Sequence, residues 1–325
     1  MQAKTKATVT DKQLQEMVKI AGLGEMINFE ELTGGEFNRA FKLQTPKGRF
    51  VLKIAPSKGT TTLRYEQGIM DVELWVYDAI KNKTSIPIPQ ILYSGNDVID
   101  NQWFIMEELQ GKLLYEAGLS KEEADRYQYQ FGQKLAELHK IRNDAFGYMQ
   151  MNLHPTWKDA YYDMVFSLIA DGEDQGDIIP GVADVLRYIR KYEFALEAVK
   201  TPRLIHFDLF SNNIFADENK NFSGLIDTER CFWGDYYADF IAINSLGKFP
   251  HSTHFVNGYN EIAEEKIVFT VESHARVSLM RLYLGLVVCT EGTTRLPRHD
   301  PTFWRRKLWG INLIKMALSE MDDIS

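Results

Sequence analysis

The chain has 325 residues, 45% of them hydrophobic and 25% charged, and a formal net charge of −8. That length exceeds one minimal core and suits two lobes, and an acidic balance without a basic stripe argues against nucleic acid as a partner. Cys231 and Cys289 offer neither a disulfide framework nor metal-ligand spacing. The N-terminal stretch lacks a signal peptide's apolar core. The longest apolar run, around Leu282 to Cys289, falls far short of the ~20 residues that span a bilayer, so the expectation is a cytoplasmic protein with no membrane partner.

Thr10-Asp11-Lys12-Gln13 reads as a capping box opening a short helix with Leu14, Met17, Val18 and Ala21 on one face. Phe41 and Leu43, then Phe50, Leu52 and Ile54, alternate with polar residues around a Pro46-Lys47-Gly48 turn, which predicts a β-hairpin. Helical spacing returns over about 64–82 through Ile69, Val72, Val76 and Ile80, and Ile86-Pro87-Ile88-Pro89 ends it. Two more strands, 90–94 and 103–107, complete a small lobe. Beyond Gly111 helices are predicted over 121–141, 157–170, 182–198 and 273–290, with a strand-rich insert over 203–227. The predicted fold class is α+β and bilobal: residues 1–108 form an antiparallel sheet lobe with one inserted helix, and 109–325 form a larger, mainly helical lobe.

The insert carries the chemistry. His206-Phe207-Asp208-Leu209-Phe210-Ser211-Asn212-Asn213 is H-x-D-x-x-x-x-N, and Asp227 follows at the end of an apolar strand. One carboxylate, Asp208, can orient or deprotonate a hydroxyl. Asn213 and Asp227 can together hold Mg²⁺, which takes few protein oxygens and leaves positions for phosphate and water. Phosphoryl transfer asks for little beyond such positioning and charge neutralisation. His206 is expected to buttress the loop by hydrogen bonding, Asp235 to cap or brace the following segment, and Trp233 to pack.

Upstream, Gly34 and Gly35 form a turn whose backbone N–H groups can approach phosphate oxygens, although such a pair alone is more often a plain turn. Lys53 sits on the second hairpin strand, on the face opposite Leu52 and Ile54; on that segment alone a solvated lysine is the better reading. Kinases need a strand lysine held by a helix glutamate, and Glu73 beside the buried face is favoured over Glu66. Met106, Glu107 and Leu109 enter a connector ending at Gly111, where backbone groups can read a purine edge.

Together these residues resemble the aminoglycoside phosphotransferase/choline kinase family, over about residues 30–240. The resemblance implies a protein-kinase-like bilobal fold and transfer of a phosphoryl group from ATP or GTP, with Mg²⁺, to a hydroxyl of a small molecule. It makes Asp208 the catalytic aspartate and Asn213 with Asp227 the metal ligands. Lys53 then contacts nucleotide phosphates and pairs with Glu73, while Glu107 and Leu109 face the base. Candidate acceptors include aminoglycoside-like antibiotics and amino-alcohol metabolites; Trp157, Tyr161, Asp163, Asp235, Asp239 and Glu291 are candidate lining residues, although ordinary helix-surface positions are the better reading for them. Phe207 stands where this family commonly has glycine. A protein kinase would carry H-R-D, D-F-G and A-P-E in place of H-F-D and I-D-T. A nucleotide-binding pseudokinase is the remaining alternative, which the joint presence of Lys53, Asp208, Asn213 and Asp227 disfavours.

Overall fold

The computed structural model describes residues 6–32, 35, 37–243 and 252–324. They fall into two compact units: Met1–Thr62, Pro89–Leu109 and Thr294–Pro297 in one, and Leu63–Ile88, Gln110–Thr293 and Arg298–Ser325 in the other. The fold is α+β, with a small antiparallel sheet in the first unit and a mainly helical second unit.

In the first unit, helix α1 (Asp11–Ile20) opens on the expected capping box: Thr10 Oγ1 accepts from Gln13 N–H, and the Thr10 N–H donates to the Gln13 side chain at 2.9 Å. Strands β1 (Asn28–Leu32), β2 (Arg39–Thr45), β3 (Gly48–Ile54), β4 (Ile91–Gly95) and β5 (Trp103–Glu107) pair antiparallel in the order β1-β2-β3-β5-β4. Period-two alternation directs Phe41, Leu43, Phe50, Leu52, Ile54, Trp103 and Ile105 to one face, where Leu14, Met17 and Val18 of α1 cover them. Lys53 lies on the other face, half-buried, between Ala40 and Phe104 in register.

The second unit begins with a single 3-10 turn, Arg64–Glu66. Helix α2 (Ile69–Lys83) then starts after Gly68, whose φ of 77° interrupts the helix that spacing extended back to residue 64. Its Val72, Val76 and Ile80 join the large core of the second unit. After β6 (Lys112–Leu113), helix α3 (Lys121–Leu138) leads to β7 (Gly147–Tyr148) and α4 (Trp157–Asp174). The stretch expected as one helix over 182–198 is two, α5 (Val182–Lys191) and α6 (Glu193–Ala198), broken at Tyr192. Strands β8 (Arg203–Ile205), β9 (Ile214–Ala216), β10 (Phe222–Leu225) and β11 (Phe232–Gly234) follow, then α7 (Asp239–Ile243), α8 (Thr253–Ile262), α9 (Val271–Arg295) and α10 (Pro301–Asp323).

Two small sheets, β10-β9-β6 and β7-β11-β8, position the candidate site segments. The loop 206–213 joins β8 to β9, and residues 226–231 join β10 to β11. Because β9 pairs with β10 and β8 with β11, the two connections are forced to lie side by side. None of the described helices is long and apolar enough to cross a membrane.

Candidate active site

His206 is the first fixed point of the loop 206–213. Its ring Nε2 lies 3.1 Å from the Ile226 carbonyl, and its Nδ1 accepts from the Asp208 N–H at 3.3 Å. One neutral tautomer, protonated on Nε2, satisfies both contacts, so the ring ties the loop to the β10–β11 connection.

Phe207 adopts φ 62°, the left-handed region that costs an ordinary residue about 1–2 kcal/mol. That backbone explains why glycine suits this position. Here a phenylalanine is retained because the chain compensates twice. Its ring is 1% exposed and packs edge-on to Phe232, with centroids 5.3 Å apart, and against Tyr283. Its N–H donates to Asp239 Oδ1 at 2.6 Å, while the His206 N–H donates to Asp239 Oδ2 at 3.0 Å. Asp239 is held in turn by His139, whose Nε2 lies 2.9 Å from Asp239 Oδ2 and whose Nδ1 lies 2.8 Å from the Tyr259 hydroxyl. Burial pushes the His139 pKa below its ordinary value, although Asp239 pulls it back up.

The strained residue delivers Asp208. Asn213 Nδ2 donates to the Asp208 carbonyl at 2.8 Å and to its Oδ2 at 2.9 Å, so the motif's aspartate and asparagine are locked together. The Ile226 N–H donates to the Asn213 carbonyl at 3.0 Å, extending the β9–β10 hairpin and setting Asp227 beside the loop. Asp227 is itself left-handed, φ 67°, and its N–H donates to the Tyr77 hydroxyl at 3.1 Å. Burial raises the Asp208 pKa above the usual carboxylate range; Arg230 opposes that rise and Asp227 adds to it.

Oxygens of Glu73, Asp227 and Glu229 all lie within 4.8 Å of one another. Helix α2 brings Glu73 there through its packing on the 3-10 turn Thr228–Arg230, where Thr228 Oγ1 donates to the Glu73 carbonyl at 3.3 Å. These carboxylates are hard oxygen donors of the kind Mg²⁺ prefers.

Arg230, at the end of that 3-10 turn, stands between Asp208 and Glu291. Its Nη2 reaches both Glu291 oxygens, at 2.8 and 3.0 Å, and its Nη1 stands 3.8 Å from Asp208 Oδ1. Burial opposes its charge, but Glu291 and Asp208 more than offset this and hold it protonated.

The candidate acceptor-lining residues separate sharply. Trp157 and Tyr161 are core: they are 1% and 0% exposed, Trp157 stacks on Phe232, and the Tyr161 hydroxyl donates to the Leu279 carbonyl. Asp235 caps the turn Tyr236–Ala238 and forms a two-bond ion pair with Arg276 at 2.6 and 2.8 Å. Asp163 pairs with His154, and Asp239 serves the loop. Glu291 reaches the Asp208 neighbourhood through Arg230. The rings of Phe210, within the loop, and Trp309 meet edge-on with centroids 6.2 Å apart.

In the first unit, the Glu107 N–H donates to the Gln90 carbonyl at 3.0 Å. Gly34 lies outside the described residues, and Gly35 is in irregular backbone.

Residues 28–273 match the phosphotransferase enzyme family. A candidate fructosamine-3-kinase from Haemophilus somnus 129PT superposes with a TM-score of 0.67 at 16% identity, over 93% of this chain and 97% of the other. A thermostable mutant of aminoglycoside phosphotransferase APH(4)-Ia, bound to AMP-PNP and hygromycin B, gives 0.66 at 17% identity over 96% and 99%. ADP-bound APH(2'')-Ib gives 0.63 at 19% over 97% and 99%. No curated protein matches the chain. The fold is therefore the protein-kinase-like fold of small-molecule kinases. The chain belongs to the phosphotransferase enzyme family, and it is a small-molecule kinase.

Proposed function

We propose that this kinase moves the γ-phosphoryl group of ATP, with GTP as the second candidate donor, to a hydroxyl of a small molecule. The observation that carries the proposal is the Asp208 carboxylate, fixed through Asn213 and set beside Asp227 by the β9–β10 hairpin. Asp208 orients the acceptor hydroxyl and receives its proton. Asn213 and Asp227, with Glu229 close by, would hold Mg²⁺, which when bound neutralises charge on the phosphates. Lys53 is assigned the nucleotide phosphates, Gly34 and Gly35 the phosphate-facing turn, and Glu107 and Leu109 the base. Glu73 is assigned a supporting role at the Asp227 turn.

Aminoglycoside-like antibiotics and amino alcohols are the acceptor classes proposed first. Bound hygromycin B in one similar structure supports the former. The test is nucleotide consumption against aminoglycosides, macrolides, amino alcohols, homoserine and sugars. Phosphorylated product from one acceptor class, dependent on Mg²⁺, is the expected outcome. Mg-nucleotide binding without turnover across the whole panel would support a pseudokinase instead.

A further inference from the structure

A transferring phosphoryl group spreads negative charge over its peripheral oxygens, and fixed cations there lower the barrier. The loop from Phe207 to Asn213 contains no lysine or arginine, so it brings no such cation itself. Among the described residues, the side chain ion-paired with Asp208 is Arg230.

The two ends of its guanidinium are held differently. Nη2 is anchored on both Glu291 oxygens, and Glu291 is 3% exposed, accepts the Tyr65 hydroxyl and lies 4.0 Å from Arg306 Nη1. Nη1 faces Asp208 Oδ1 at 3.8 Å, too far for a direct hydrogen bond. One edge is thus clamped, and the other is held beside the carboxylate without being consumed by it. A planar guanidinium held this way is a preorganised donor for a phosphoryl oxygen.

We propose that Arg230 is a catalytic residue that contacts the transferring phosphoryl group through Nη1, and that Glu291 and Tyr65 position it. The proposal rests on Asp208 orienting the acceptor hydroxyl. In the step, the acceptor oxygen forms a bond to the γ-phosphorus while the bond from that phosphorus to the β,γ-bridging oxygen breaks. The electron pair leaves with the nucleoside diphosphate, and the hydroxyl proton passes to Asp208. A hydroxyl touching Asp208 attacks phosphorus from about 3–3.5 Å, which brings a peripheral phosphoryl oxygen within reach of a donor 3.8 Å from the same carboxylate.

The probe is ADP with Mg²⁺ and aluminium fluoride, a mimic of the phosphoryl group in transit that needs no known acceptor. The full-length protein should bind ADP more tightly when fluoroaluminate is present. Arg230→Gln should lose about tenfold or more of that gain while affinity for ADP alone is little changed, and kcat should fall by about 10²–10³. Arg230→Lys should keep part of the gain and Glu291→Gln should lose part of it. The double variant Arg230→Gln with Glu291→Gln removes the unpaired buried carboxylate and checks that folding is not the cause. A full fluoroaluminate gain in Arg230→Gln, or no gain in the wild type despite ADP binding, overturns the proposal. Failure of the wild type to bind Mg-nucleotide at all would instead overturn the phosphotransferase reading beneath it.

Discussion

The sheet of the first unit and the loops 206–213 and 226–231 of the second are built on opposite principles. In the sheet, position follows from period: every second residue from Phe41 to Leu43 and from Phe50 to Ile54 goes to the core, and Lys53 is left on the other face. In the loops, position is imposed against local preference. Phe207 and Asp227 are both left-handed, and distant groups keep them so: Asp239 and His139 for one, Tyr77 for the other. The sheet can therefore absorb a change in side-chain volume as lost stability. The loops convert a lost hydrogen bond into lost geometry at Asp208.

That contrast can be broken most directly at Asp239. Asp239→Asn puts an amide where one oxygen accepts the His206 or Phe207 N–H. Leaving buried donors unpaired should cost about 2–5 kcal/mol in denaturant unfolding and lower kcat in the molecules that remain folded. Unchanged kcat would show that the loop holds itself. Phe207→Gly sets two effects against each other: it relieves about 1–2 kcal/mol of backbone strain but empties a ring site worth about 3–5 kcal/mol. The net expectation is destabilisation by roughly 2–3 kcal/mol, and a stabilised variant would mean that the backbone term dominates. In the sheet, Leu52→Ala should cost a similar ~2–5 kcal/mol with kcat per folded molecule little altered.

Gly310→Ala probes packing away from both regions. A Cβ there would sit 2.6 Å from Cys289 Sγ and 2.7 Å from the Gly285 carbonyl, where α9 and α10 touch. A loss of about 1–3 kcal/mol is expected, without a change in catalysis. The smallest effect concerns pH. His139 has a depressed pKa in the folded state, so the unfolded chain takes up its proton first as pH falls. Its contribution to stability is present above the unfolded value of about 6.5 and is lost as pH drops from there toward the folded value. Urea titrations at stepped pH should show that slope diminished in His139→Gln.

The same contrast explains what could be read from sequence. The pairing of Asp208 with Asn213 is legible because it depends on short, contiguous spacing, and the hairpin strands because their period is local. The brace is not legible, since His139 and Asp239 lie 100 residues apart and no local pattern pairs them. Nor can an amphipathic pattern separate core from cleft, so Trp157 and Tyr161 passed as lining residues although both are buried in the core. Helix α10 went unpredicted although Asp300 caps it and Pro301 opens it, with Phe303, Lys307, Gly310, Leu313 and Ala317 on the buried face. The charged Lys307 and the glycine weaken that stripe as a hydrophobic signal.

The central claim is that Asp208 acts on the acceptor hydroxyl and is not needed to bind nucleotide. It is tested by measuring Mg-nucleotide affinity and turnover together in Asp208→Asn, a change that keeps the side chain's size and removes its charge. Affinity within a few-fold of wild type, with turnover lost by about 10²-fold or more, is the predicted result. Wild-type turnover in that variant would contradict the account.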